Sequence, residues 1–114
     1  MESTFYHNPQ CSKSRQALAL LHEKNLQPRL VEYLKIPLTE SELRALLKKL
    51  HMTAQQVIRS NEAIYKDLAL NPESSEDVLI AAMVKHPKLI ERPIFVYGQR
   101  AVIGRPPEKV LELL

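Results

Sequence analysis

Cys11 is the single cysteine in a chain of 114 residues, and it stands in the polar run Asn8-Pro9-Gln10-Cys11-Ser12-Lys13-Ser14-Arg15. A thiolate is a strong nucleophile near neutral pH, so a cysteine in such a loop can open covalent or redox chemistry. With no second thiol in the chain no internal disulfide can form, and any resolving thiol has to come from another molecule. Ser14 occupies the place at which a second cysteine would complete Cys-x-x-Cys. The motif is therefore Cys-x-x-Ser, one nucleophile with a hydroxyl where the resolving thiol would stand. A free cysteine is often an inert buried hydrophobe. The polar neighbours of Cys11 describe a loop and not a core strand.

The charge of the partner electrophile is suggested by three arginines. Arg59 lies in Val57-Ile58-Arg59-Ser60-Asn61, Arg92 directly precedes Pro93, and Arg105 lies in Ile103-Gly104-Arg105-Pro106-Pro107. Each stands at an element boundary beside turn-forming residues, where side chains can reach into a site. A guanidinium fork binds a tetrahedral oxyanion in bidentate fashion and stays charged at any working pH. A solvated surface position is the ordinary alternative for each. Placement at the turns flanking two late strands sets Arg92 and Arg105 apart.

These residues need elements to bring them together. Ser3-Thr4-Phe5-Tyr6 and Arg29-Leu30-Val31-Glu32-Tyr33 read as strands, and Lys13 to Lys24 carries Ala17, Leu18 and Leu21 at helical spacing. Strand, helix and strand within about 35 residues form a βαβ unit with parallel strands. Such a helix would begin at Cys11, where free backbone N–H groups and the positive dipole end favour a thiolate; Lys13 and Arg15 could act in the same direction.

From Thr39 the pattern changes: Thr39-Glu40-Ser41-Glu42 resembles a capping box and is followed by Leu43, Leu46, Leu47 and Leu50. Further helices are expected at Thr53 to Ile58, Glu62 to Leu68 and Ser75 to Lys85. Pro93-Ile94-Phe95-Val96-Tyr97 and Arg100-Ala101-Val102-Ile103 then read as a hairpin around Gly98-Gln99, and a helix from Pro107 to Leu113 closes the chain. The order β-α-β, helical block, β-β-α is that of an α/β thioredoxin-like mixed sheet. The reading is one domain over residues 1–114 with a helical insertion at about 39–86. In that fold Pro93 would be the cis-proline facing the active cysteine, which would aim Arg92 at Cys11.

Composition narrows the partners. The excess of 16 Lys and Arg over 13 Asp and Glu gives a net charge of only +3, spread along the chain with few aromatics, so a small anion fits better than a nucleic acid. No segment approaches the roughly 20 apolar residues of a membrane span, and the first thirty residues lack the basic-then-apolar order expected of a signal peptide. With one cysteine, a cytoplasmic protein is the expectation, with no nucleic-acid or membrane partner.

His7-Asn8-Pro9-Gln10-Cys11-Ser12-Lys13-Ser14-Arg15, Ile58-Arg59, Glu91-Arg92-Pro93-Ile94 and Ile103-Gly104-Arg105-Pro106-Pro107-Glu108, in that order, resemble the glutaredoxin-coupled arsenate reductase family. The resemblance implies that Cys11 is the nucleophile, that Arg59, Arg92 and Arg105 bind arsenate, and that His7, Ser14 and Pro93 support the site. For His7, a solvated or core histidine is the alternative. It further implies glutathione as co-substrate and glutaredoxin as partner, with no bound cofactor and no metal. Where the best-known members carry Gly-Thr after the cysteine, this chain has Ser12-Lys13, a subfamily difference that leaves the loop N–H groups available to an oxyanion. Two other readings share the fold: a glutathione-dependent thiol oxidoreductase acting on organic disulfides, and an Spx-like regulator of transcription that binds RNA polymerase. The second group commonly carries a Cys-x-x-Cys switch, which Ser14 breaks.

Overall fold

The computed structural model describes residues 2–114. Four strands, β1 (Ser3–Tyr6), β2 (Arg29–Val31), β3 (Ile94–Tyr97) and β4 (Arg100–Ile103), form one sheet in the order β2-β1-β3-β4. β1 and β2 are parallel and are joined through α1 (Ser12–Glu23), whereas β1–β3 and β3–β4 are antiparallel. This is a thioredoxin-like mixed sheet. The hairpin turns through Gly98-Gln99, with Tyr97 opposite Arg100 and Gly98 at φ 64°, a left-handed conformation that glycine adopts without a Cβ clash.

The chain divides into two compact units, the first comprising the residues up to Ile36 with Arg92–Leu114 and the second Pro37–Glu91. In the first, Phe5 and Phe95 are register partners on β1 and β3 and so share one face of the sheet. Ala17 and Leu21 of α1 and Val110 and Leu113 complete a core there, all buried. α1 stops where Asn25 takes φ 62°: the Leu26 and Asn25 N–H groups return to the Leu21 and His22 carbonyls at 3.0 and 2.9 Å, a Schellman closure with asparagine in the usual glycine place.

The second unit holds α2 (Glu40–Leu50), α3 (Ala54–Val57), α4 (Ala63–Asp67) and α5 (Glu76–Lys85). α2 and α3 pack on α5, burying Leu43, Leu46, Leu47, Val57, Leu79, Ile80 and Met83. The expected capping box at Thr39 and Glu42 is formed, and a second closes on Thr53 and Gln56.

Two elements depart from expectation. β2 ends at Val31, two residues early, because the Glu32 carbonyl accepts from the Lys35 and Ile36 N–H groups at 2.9 and 3.0 Å and turns the chain. The closing helix Pro107–Leu113 is 3-10 and not α, as is a short turn at Pro87–Leu89 that periodicity does not announce.

Gly104 is buried where the first unit leaves no room for a side chain. A Cβ there would lie 2.9 Å from Pro93 Cγ, 3.1 Å from Val110 Cγ1 and 3.4 Å from Ala17 Cβ. Gly104→Ala is therefore expected to cost about 1–3 kcal/mol by overpacking, read as a lower urea midpoint at unchanged slope. A midpoint equal to that of the parent would show that the proline ring and Val110 yield without cost.

Candidate active site

The loop from β1 into α1 is built by its own short-range bonds. The Asn8 side-chain oxygen accepts from the Gln10 N–H at 3.1 Å, and the Asn8 carbonyl accepts from the Cys11 N–H at 3.0 Å. Cys11 follows as the N-cap of α1, with φ −95° and ψ 122°. Its side chain stands where a capping oxygen usually accepts from the second and third helical N–H groups. The neutral thiol closes no cap hydrogen bond, being a weak acceptor. Ionised, it is the acceptor that those N–H groups lack.

The half-exposed sulfur titrates accordingly. Burial pushes the thiol up, but the Ser14 N–H, the Arg92 guanidinium as donor, the Lys13 N–H and the charge of Arg92 outweigh it and hold Cys11 below its ordinary value. The expectation that Lys13 and Arg15 act through their charges is corrected. Lys13 acts through its backbone, and the Arg15 guanidinium donates to the Pro9 carbonyl at 2.7 Å. The cation that lowers the thiol is Arg92.

Arg105 approaches the same atom. Its Nε donates to the Arg92 carbonyl at 2.7 Å, which orients the fork, and Nη2 lies 3.7 Å from Cys11 Sγ. Arg92-Pro93 is a cis peptide, and so is Arg105-Pro106, which the sequence does not announce. Pro93 is buried, with its carbonyl accepting from the Gly104 N–H at 2.8 Å, so the two arginine-proline pairs are tied at their bases.

His7 and Ser14 form a buried pair beneath the loop. The Ser14 hydroxyl accepts from the Asn8 N–H at 3.1 Å and lies 2.7 Å from His7 Nδ1. Burial lowers the His7 pKa, Glu32 opposes that and Arg15 adds to it, so the neutral ring is favoured and its tautomer sets which of Nδ1 and Oγ donates. Ser14 is fully buried, which turns its hydroxyl into a support of the loop. The pairing crosses seven positions from strand end to helix start, a spacing with no periodic signature.

The first unit thus brings Cys11, Arg92, Arg105, His7, Ser14 and Pro93 together. Arg59 belongs to the second unit, where its Nη1 pairs with Glu91 Oε1 at 3.4 Å. Among the described residues no group of three His, Cys, Asp or Glu side chains could hold a metal ion, and no helix is long and apolar enough to cross a membrane. Chemically the site offers one activated thiol beside two guanidinium groups, a setting in which an anionic electrophile can be held against a nucleophile.

The thiol pKa predicts reactivity directly. Because the folded-state value is lowered, the anion persists to lower pH, and iodoacetamide alkylation of Cys11 should have its pH midpoint below that of the same thiol in the urea-unfolded chain. A midpoint at or above that value would contradict the assigned electrostatics.

Cys-x-x-Ser at the start of the first helix of a thioredoxin-like sheet, with arginines on the cis-proline side, is the arrangement of a single-cysteine thiol protein with guanidinium groups beside the thiol. The chain matches the ArsC family over residues 6–113. It is 46% identical over 116 residues to an arsenate reductase of Haemophilus influenzae, with 100% of each chain covered. It is 52% identical over 111 residues to an Escherichia coli K12 relative described as uncharacterized protein YfgD, covering 96% of this chain and 93% of the relative. The solved arsenate reductase from Vibrio cholerae superposes with a TM-score of 0.96 at 46% identity, over 100% of this chain and 98% of that one. The chain belongs to the ArsC family.

Proposed function

We propose that this protein is an arsenate reductase in which Cys11 is the nucleophile, Arg59, Arg92 and Arg105 bind the oxyanion, and His7, Ser14 and Pro93 support the loop. The observation that carries the reading is the Cys11 thiol, lowered by Arg92 and the helix N–H groups, with Arg105 Nη2 3.7 Å from the sulfur. Relatives described as arsenate reductases support the substrate, at 46% identity in Haemophilus influenzae and 41% in Neisseria meningitidis.

The Cys11 thiolate attacks As(V) and displaces an oxygen as water, forming an S–As bond while the guanidinium groups offset the charge on the remaining oxygens. A glutathione thiolate then attacks Cys11 Sγ. The S–As bond breaks with its electron pair passing to arsenic, which leaves as arsenite, and Cys11 is left as a mixed disulfide with glutathione. Two thiols are oxidised and As(V) gains two electrons. Glutaredoxin restores the thiol by exchange. Nothing but the thiols need be supplied, so no bound cofactor enters the reading, and a reducing cytoplasm is the compartment that would provide them. The helical stretch at about 39–86 is read as an insertion within one thioredoxin-like domain over residues 1–114.

The test is arsenite release by the purified protein with glutathione and glutaredoxin, against glutathione alone and against thioredoxin with its reductase. Turnover requiring the first combination supports the account. Turnover driven equally by thioredoxin would place the reductant elsewhere, and no arsenite under any donor, with glutathione–disulfide exchange intact, would favour an organic disulfide substrate.

A further inference from the structure

We propose that Glu91 is a positioning residue that orients Arg59 for oxyanion binding, an inference that rests on the reading of Arg59 as an arsenate ligand. The second unit contains an isolated antiparallel bridge between Ile58 and Ile90, flanked by hydrogen bonds from Arg59 N–H to the Leu89 carbonyl at 2.7 Å and from Glu91 N–H to the Val57 carbonyl at 3.0 Å. With Ile58 opposite Ile90, the residues on either side of the bridge, Val57, Arg59, Leu89 and Glu91, project to the other face. Arg59 and Glu91 are diagonal neighbours there, a separation of about 7–8 Å between backbone positions that two long side chains span.

The two side chains meet. Arg59 Nη1 donates to Glu91 Oε1 at 3.4 Å, and both are largely withdrawn from solvent, at 15% and 28% exposure. Arg59 Nε is buried with no acceptor among the described residues. Of the donors on this guanidinium, only Nη1 therefore has a protein acceptor among those residues, and its orientation is set by a single carboxylate. An arginine with several acceptors would keep its pose when one was lost. This one has no substitute, and a fork must be aimed to grip an oxyanion with two bonds. Glu91 also directly precedes Arg92 in the chain, so one short segment carries both the orienting carboxylate and an arginine of the site.

The consequence is confined to anion binding. As a positioning residue Glu91 serves anion binding through Arg59, so its loss should raise KM for arsenate while kcat stays within about twofold. Glu91→Ala is expected to weaken arsenate by about tenfold, the effect of losing one hydrogen bond to a charged group. Glu91→Gln keeps an acceptor oxygen in the same place and should recover most of that loss.

The experiment is a double-mutant cycle of Glu91→Ala and Arg59→Ala with Glu91→Gln alongside, read by arsenate KM and kcat and, independently of turnover, by protection of Cys11 from alkylation with inorganic phosphate. The expected result is weakened phosphate protection in Glu91→Ala, rescue in Glu91→Gln, and no further weakening when Glu91→Ala is added to Arg59→Ala. Equal losses from Glu91→Ala in the two backgrounds would overturn the proposal. So would unchanged protection in Glu91→Ala, or in Arg59→Ala itself. If the parent protein releases no arsenite, the phosphate arm still decides the role of Glu91, so failure of the substrate reading and failure of this inference remain distinct.

Discussion

Replacing Cys11 with serine is expected to abolish arsenate reduction, by on the order of 10⁴-fold or more, the scale on which enzymes lose activity when the nucleophile is removed. The loss has two causes that cannot be offset elsewhere in the chain. A serine hydroxyl at the N-cap would be well placed to accept from the Lys13 and Ser14 N–H groups, but those interactions do not bring an alcohol near ionisation at neutral pH. An As–O ester, were it formed, also offers no sulfur for glutathione to attack, so the two electrons have no route to arsenic. The fold should be untouched, because serine is a favourable N-cap. Thermal or urea unfolding should show the parent midpoint or a slightly higher one, while arsenite release falls to background. Residual turnover within tenfold of the parent would mean that Cys11 is not the nucleophile.

The second large effect is expected from Arg92→Lys and Arg105→Lys. Each keeps a positive charge and loses the planar fork, and losing one donor to developing charge costs on the order of 10²–10³ in rate. The two variants should separate in a second readout. The Arg92 guanidinium both donates to the thiol and acts on it by charge, so Arg92→Lys should raise the alkylation midpoint of Cys11. Arg105 is held by the Arg92 carbonyl with Nη2 3.7 Å from the sulfur and is not among the groups that lower the thiol, so Arg105→Lys should leave that midpoint nearly unchanged while turnover falls as far. Near-normal arsenate reduction in both variants would remove the anion clamp and make an organic disulfide the better substrate class.

What could be read from the sequence follows the range over which each feature is determined. β1 at Ser3–Tyr6, the β3–β4 hairpin around Gly98-Gln99 and the Thr39–Glu42 capping box arise from neighbours within a few residues, and all are present as expected. The parallel pairing of β1 with β2 follows from the helix between them, and it too is present. The early end of β2 is decided by which carbonyl captures the Lys35 and Ile36 N–H groups, and the 3-10 winding of Pro107–Leu113 by which carbonyl each N–H reaches. Alternation and apolar spacing do not report either.

The same holds at the site. Cys11 at the mouth of α1 was legible because strand, polar loop and helix are consecutive. Arg92 was legible as a residue aimed at Cys11 through the cis-proline place of Pro93, but its part in lowering the thiol was not, since nearness in sequence pointed to Lys13 and Arg15 whereas Arg92 is brought in by β3 pairing with β1. Ser14 read as a missing thiol, and its burial against His7 depends on how α1 is seated on the sheet. The Arg59–Glu91 pair likewise rests on a two-residue bridge too short to leave a strand signature.

The central claim is that one thiol of this chain carries the electrons from glutathione to arsenic, and a single-turnover experiment tests it most directly. The reduced protein is mixed with excess arsenate and glutathione in the absence of glutaredoxin, quenched, and divided between arsenite determination and intact-mass analysis. The account predicts about one arsenite per chain and a matching fraction of protein carrying one glutathione on Cys11, by the stoichiometry of thiol–disulfide exchange, with neither product in Cys11→Ser. Arsenite accumulating well beyond one per chain while Cys11 remains unmodified, or forming equally in Cys11→Ser, would contradict it.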